Sequence, residues 1–200
     1  MATNPRVPHQ QRAIETKDKI LEVAIRCFSE LGYHGANTKV IAHAAGVSIG
    51  SLYSYYPDKQ TILIEAARYY FERFGEIVDS RSELISKYFM DRRAIVTGAI
   101  QSLLEAHEGC EVFHDMIHGL APSMPGIRAL VDEHEARIVE RVRATLATAG
   151  PRKDPSALEA SSVVLAAAIQ GAVDRIAKED GERREMVESL VELVCRFAFG

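Results

Sequence analysis

The sequence has few of the features that hold small secreted or metal-built domains together. Its three cysteines, Cys27, Cys110 and Cys195, are an odd number scattered over 200 residues, so neither a disulfide framework nor a zinc finger is indicated and all three read as packing residues. Long hydrophobic runs are missing too. The longest uncharged apolar stretch, Ser161 to Val173, stops short of the ~20 residues that a spanning helix needs, and residues 1–11 hold no apolar run that could act as a signal peptide. The expectation is a soluble cytoplasmic protein with no membrane partner. No segment alternates convincingly as a strand, and no nucleophile triad, phosphate loop or dinucleotide fingerprint occurs, so no cofactor is called for. What remains is a chain long enough to bury a real core, written in helical periodicity.

Residues 1–11, with Pro5, Pro8 and many polar side chains, read as a flexible arm. From Ile14 the apolar residues Ile20, Leu21, Ala24, Phe28 and Leu31 form a stripe that ends at Gly32, where a helix-terminating glycine belongs. After Pro57 the same period runs from Ile62 through Leu63, Ala66, Ala67, Tyr70, Phe71, Phe74 and Ile77 to Val78, predicting a long helix that joins the two parts of the chain. Gly and Pro signals separate further helices expected at 91–106, 111–117, 127–149, 155–178 and 183–199. The fold class is all-α, divided into an arm (1–11), a small helical head (12–60) and a larger helical body (61–200).

Charge is unevenly shared between these parts. Residues 1–60 carry seven Lys or Arg against five acids, an excess of two positive charges, so the rest of a chain of net charge −4 stands at −6. A mildly basic head on an acidic body suits a molecule whose head alone meets a polyanion. In the body, 161–173 (SSVVLAAAIQGAV) and 190–199 (LVELVCRFAF) are apolar around most of a helical circumference. One buried face does not account for them, and the matching pair of a second subunit is the economical cover.

Between the first helix and Pro57 the chain reads GYHGANTKVIAHAAGVSIGSLYSYYPDK. Two short helices are implied, crossing steeply through a tight turn. Ala42 is small enough for the crossing, Gly46 turns the chain, and Val47 and Leu52 lock the pair, while Ser48 caps the second helix and leaves its N-terminus free to face phosphates and base edges. The three tyrosines Tyr53, Tyr55 and Tyr56 divide between surface and core, with Leu52 and Tyr56 expected to face inward.

These residues resemble the tetracycline-repressor (TetR) family of bacterial regulators. The resemblance rests on Gly32-Tyr33, Ile41-Ala42, Ala45-Gly46-Val47-Ser48, Gly50-Ser51-Leu52-Tyr53, Tyr55-Tyr56 and Lys59, and in specific motifs it covers about residues 14–64. One departure is that Ala36-Asn37 precede Thr38 where the family often has two hydroxyl residues, which makes Asn37 the expected cap. The resemblance implies a three-helix helix-turn-helix DNA-binding domain at 12–60 and a C-terminal bundle for ligand binding and dimerisation at 61–200. It further implies DNA contact by Thr38, Lys39, Ser48, Ile49, Gly50, Ser51, Tyr53, Tyr55 and Lys59. The partners would be double-stranded palindromic operator DNA, a largely apolar small-molecule effector, and a second copy of the chain held through the last two helices. The function expected is ligand-responsive repression of transcription, and not catalysis.

A cavity in the body is expected around Tyr88, Phe89, Phe113, Met116, His118, Met124 and Gln170, each of which could equally be plain core. Glu111 and His114 match half of the motif found in di-metal bundles, with His118 one turn further on. No second Glu-x-x-His exists, so no metal site is assigned. A helical metal-dependent enzyme using Glu111, His114 and His118 is the rival reading, and it leaves the head motif unexplained; a helical interaction module that no longer binds DNA is a third.

Overall fold

Several helices start where the sequence supplies an oxygen to their first free N–H groups. Asn37 Oδ1 accepts from Lys39 N at 3.1 Å and Val40 N at 3.0 Å, Ser48 Oγ from Ser51 N at 3.0 Å, and Asp154 Oδ1 from Ala157 N at 2.9 Å. Asp91 caps the helix that follows it in the same way. Each such cap stabilises its helix by ~1 kcal/mol.

The structure, a computed structural model, describes residues 9–88, 91–149, 154–179 and 181–199. Among the described residues it contains α1 (His9–Gly35), α2 (Thr38–Ala45), α3 (Ile49–Tyr55), α4 (Lys59–Tyr88), α5 (Arg92–His107), α6 (Glu111–Leu120), α7 (Pro125–Ala149), α8 (Pro155–Ala177) and α9 (Arg183–Phe199), and no strand. The all-α class and the expected helix positions therefore hold. At Gly32 the backbone takes φ 68° and ψ 169°, so the first helix breaks where its apolar stripe stops. One further turn follows, closed by the Ala36 N–H on the Gly32 carbonyl at 3.1 Å.

Apolar side chains gather into two cores. The first joins Ile20, Phe28, Ile41, Leu52 and Tyr56 of the head to Leu63, Phe71 and Phe74 of α4, Phe113 and Ile117 of α6, and Ile127 at the start of α7. Its continuity follows from α6 packing on α1. The boundary at residue 60 thus marks a change of motif, while packing runs across it. The second core holds Val96, Ile100 and Leu104 of α5, Leu146 of α7, Leu165, Val173 and Ile176 of α8, and Leu190, Val191 and Val194 of α9.

Helices α8 and α9 bury one face in this second core and leave apolar groups outside it. Val163, Val164 and Leu193 are 47%, 59% and 52% exposed, whereas Val194 is buried at 6%. The 23-residue α8 is long and apolar enough to cross a membrane by length and composition alone. Its packing against α5, α7 and α9 gives it the position of a bundle helix with one apolar side uncovered.

Candidate functional site

The turn between α2 and α3 is built as its residue types require. Gly46 is left-handed (φ 68°, ψ 31°), and the N–H groups of Gly46 and Val47 close the end of α2 on the carbonyls of His43 and Ala42, each at 3.0 Å. A side chain at Gly46 would strain this turn. Ala42, Ala45 and Leu52 are buried at the crossing, which leaves the opposite sides of both helices outward.

On that outer surface, Thr38 Oγ1 and Tyr53 Oη meet at 3.0 Å and tie the start of α2 to the middle of α3. Lys39, Ser48, Ile49, Gly50, Tyr53 and Ser54 are exposed, and Thr38 and Ser51 are half-buried. Ser48 Oγ is occupied as the cap of α3, and Ser54 Oγ donates to the Ser51 carbonyl at 2.6 Å. A Cβ added at Gly50 would meet only Ser48 Oγ, at 4.0 Å, among the described residues. Nothing described in the chain itself therefore requires glycine there, and a close approach from outside would.

Two of the expected DNA contacts are engaged internally. Lys59 Nζ donates to the carbonyls of Tyr33 at 2.7 Å and Ala36 at 3.0 Å and sits 4.4 Å above the Tyr33 ring. The lysine thus clamps the start of α4 to the loop before α2, and two of its three N–H groups are committed. Tyr55 is half-buried against the first core, its ring centroid 6.4 Å from that of Tyr56. Tyr56 is buried as expected, and burial pushes its phenol up to about 12.

In the body, the residues expected around a cavity are placed as follows. Phe113 is fully buried in the first core, and Met116 and Met124 pack against it. Gln170 is half-buried on α8, one turn before Asp174. The Tyr88 side chain and Phe89 lie outside the described residues. A groove of about 720 Å³ opens elsewhere, between α5 and α9, where Gln101, Glu105, Arg183, Arg184 and Glu188 line it with Leu104 and Val187.

His118 lies beside His114, with ring centroids 4.3 Å apart. Burial first, and then the neighbouring His114, push its imidazole down to about 4. Glu111 accepts the Gly109 N–H at 3.0 Å, and among the described residues the group with metal-ligand spacing is His107, His114 and Asp174, without Glu111 or His118. The partners of His114 come from other helices. His107 Nε2 on α5 and His114 Nε2 on α6 approach the same oxygen, Asp174 Oδ1 on α8, at 3.2 and 3.5 Å. Burial would raise the Asp174 carboxyl, but the two imidazoles outweigh it and hold it well below the usual carboxylate range. His107 and Asp174 escaped the sequence reading, although Asp174 is the first charge after the apolar run of α8. A carboxylate at that place asks for a partner.

Two family models cover most of the chain. Residues 20–66 match that of the bacterial regulatory proteins of the tetR family, and residues 93–197 match that of the tetracyclin repressor-like C-terminal domain. The chain belongs to the TetR family. A TetR-family chain is a DNA-binding transcriptional regulator and not an enzyme, and the helix-turn-helix is its DNA-binding part.

The HTH-type transcriptional repressor AcnR of Corynebacterium efficiens is 25% identical over 186 residues, 92% of each chain. The regulator RutR of Escherichia coli is 40% identical over 60 residues, 30% of this chain and 28% of its own. Among solved structures, the fatty acid degradation regulator FadR from Bacillus halodurans superposes with a TM-score of 0.65 at 19% identity, covering 98% of this chain and 97% of that one. At that identity the likeness shows the TetR fold alone.

Proposed function

We propose that this TetR-family regulator is a repressor that binds a palindromic operator as a homodimer and is released by a largely apolar small molecule bound in its body. The observation that carries the DNA-binding half is the outer surface of α2 and α3, where the Thr38–Tyr53 bridge stands beside exposed Lys39 and Ile49 and a glycine that the described packing does not need. Thr38, Lys39, Ser51 and Tyr53 supply donors to phosphates, and the backbones of Ser48 and Gly50 allow the start of α3 to approach the groove. Ile49, 39% exposed, packs on a thymine methyl. Tyr55 and Lys59 contribute by holding the head together.

Specificity is thin in direct contacts. Ile49, Gly50, Ser51 and Ser54 include none of the bidentate side chains that discriminate base pairs by ~1–3 kcal/mol each. Half-site spacing, set by a dimer joined through the open apolar sides of α8 and α9, and DNA shape supply the remainder. Phe113, Met116, His118, Met124 and Gln170 are the described residues offered for the effector. The Corynebacterium relative's name, a transcriptional repressor, supports repression, and a bacterial regulator of this kind works in the cytoplasm.

Selection of bound duplexes from a random DNA pool with the full-length chain tests the reading. Enrichment of an inverted repeat is expected, and a pool that stays unenriched would overturn it.

A further inference from the structure

We propose that His107, His114 and Asp174 form a binding site for one divalent first-row transition-metal ion at the seam between the two cores. Each residue offers one ligand atom, and the three lie within 4.8 Å of one another. They come from α5, α6 and α8, three helices that no local sequence motif connects.

The protonation pattern at His107 points to a cation. Its Nδ1 is 2.9 Å from the Leu103 carbonyl. A carbonyl oxygen only accepts, so Nδ1 carries a proton, and in the neutral ring Nε2 presents a bare lone pair. That Nε2 lies 3.2 Å from Asp174 Oδ1, is buried, and makes no hydrogen bond among the described residues. With the ring neutral, two electron pairs face each other across this gap, and a positive charge between them, either a second ring proton or a metal ion, resolves it. His114 completes the set: its Nε2 is 3.5 Å from the same Oδ1, and its Nδ1 is held by Tyr70 Oη at 3.2 Å. Imidazoles that bind metals are oriented in this way, through the ring nitrogen that does not coordinate.

The distances suit the ion as well. Bonds of about 2.0–2.1 Å in tetrahedral geometry place neighbouring ligand atoms about 3.3 Å apart; the two separations from Asp174 are 3.2 and 3.5 Å, and the third, between the two imidazoles, lies within 4.8 Å and has to close onto the ion. Two imidazoles and one carboxylate select first-row transition ions over calcium or magnesium. The side chains of His107 and His114 are only 7% and 9% exposed, whereas that of Asp174 is 36% exposed and gives the ion a way in. Phe74, edge-on to His107 at 4.9 Å, and Phe113, edge-on to Tyr70 at 5.7 Å, help keep the other side dry. A second buried imidazole nitrogen without a hydrogen-bond partner among the described residues, His118 Nε2, belongs to the ring next to His114. Three protein ligands leave a coordination position for water or for an oxygen of an anionic effector.

The ion would fasten α6, which packs on α1 of the head, to α5 and α8 of the second core, so its occupancy bears on how the head is held. The site itself does not depend on the DNA-binding reading.

Chelator-treated full-length protein titrated with Zn(II) by calorimetry, and with Co(II) followed by its visible absorption, tests the proposal. One ion per chain is expected, with a Co(II) spectrum of low-coordinate nitrogen and oxygen ligands and a melting temperature that rises with Zn(II). Asp174→Asn is expected to weaken binding by more than about 100-fold, beyond the ~10–100-fold typical of outer partners of a ligand, and to abolish the Zn(II)-dependent rise in melting while its metal-free melting stays near that of the parent. Asp115→Asn, which alters the neighbouring ion pair of Asp115 with Lys178 at 2.7 Å, is expected to bind as the parent does. Absence of stoichiometric Zn(II) and Co(II) binding, or equal affinities for the parent and Asp174→Asn, would overturn the site. Because no DNA enters these readouts, either result leaves the operator reading standing.

Discussion

Thr38 Oγ1 and Tyr53 Oη, fifteen residues apart in sequence, are 3.0 Å apart across the outer surface of the helix-turn-helix. One hydroxyl donates and the other accepts, so each also points a lone pair or a proton to a partner outside the pair. Tyr53→Phe and Thr38→Val are each expected to weaken operator binding for all sequences alike, since phosphate contacts carry no sequence information. The double variant should lose less than the two singles combined, by about 0.5–1.5 kcal/mol, the usual net worth of a hydrogen bond. Fluorescence anisotropy with the four proteins checks this. Strict additivity would mean that the hydroxyls act separately.

Gly50 offers a case in which stability and function should move in opposite directions. The described residues leave room for a Cβ at this helical position, and alanine favours a helix over glycine by ~1 kcal/mol. Gly50→Ala is therefore expected to raise the melting temperature while lowering operator affinity, because in the proposed complex the methyl group would stand where the DNA backbone approaches. Calorimetric melting together with anisotropy decides it; unchanged affinity would show that α3 keeps its distance from the groove at this residue.

Lys59 is expected to behave as a structural residue. With its ammonium on the Tyr33 and Ala36 carbonyls, Lys59→Ala should cost about 1–3 kcal/mol of stability, which shifts the melting of a chain of this size by roughly 2–4 °C per kcal/mol. The dependence of operator affinity on salt should keep its slope, whereas loss of a phosphate contact would flatten it by about 1. An unchanged melting temperature with a flattened slope would return Lys59 to the DNA.

His134 sets a pH dependence of stability. It is 3% exposed and stacks on Phe71 at 4.3 Å. Burial, reinforced by Arg137 and by His114, His118 and His107, pushes its imidazole from 6.5 down to about 3. Between those values the unfolded chain binds a proton that the folded chain refuses. The His134 contribution is therefore fully present above about pH 6.5 and is lost as pH falls toward 3, at a slope approaching ~1.4 kcal/mol per pH unit. Urea unfolding between pH 7 and 4.5 should give a shallower fall for His134→Phe than for the parent; parallel curves would contradict the assignment.

The head was legible in the sequence because its determinants are local. A left-handed turn needs Gly46, a helix start needs Asn37 or Ser48, and a steep crossing needs Ala42, and all of these lie within a dozen residues of one another. The helices of the body were legible through their apolar period and their Gly and Pro punctuation. Two things were not. The commitment of Lys59 to carbonyls 23 and 26 residues away depends on how the α4 start meets the head, which no spacing rule encodes. The His107–His114–Asp174 cluster is spread over three helices, so helical spacing along α6 connects His114 to Glu111 and His118 and says nothing of His107 or Asp174.

The proposed dimer, joined through α8 and α9, places two heads on one operator. The most direct measurement is the mass, by sedimentation, of the parent and of Leu193→Glu, each alone and on the selected duplex. The parent is expected to be a dimer in both conditions, with two half-sites about one helical turn (about 34–36 Å) apart or a multiple of it, and Leu193→Glu, altered at a 52% exposed position, is expected to be a folded monomer with weakened operator binding. A parent that sediments as a monomer and occupies a single unpaired half-site would rule out the dimer.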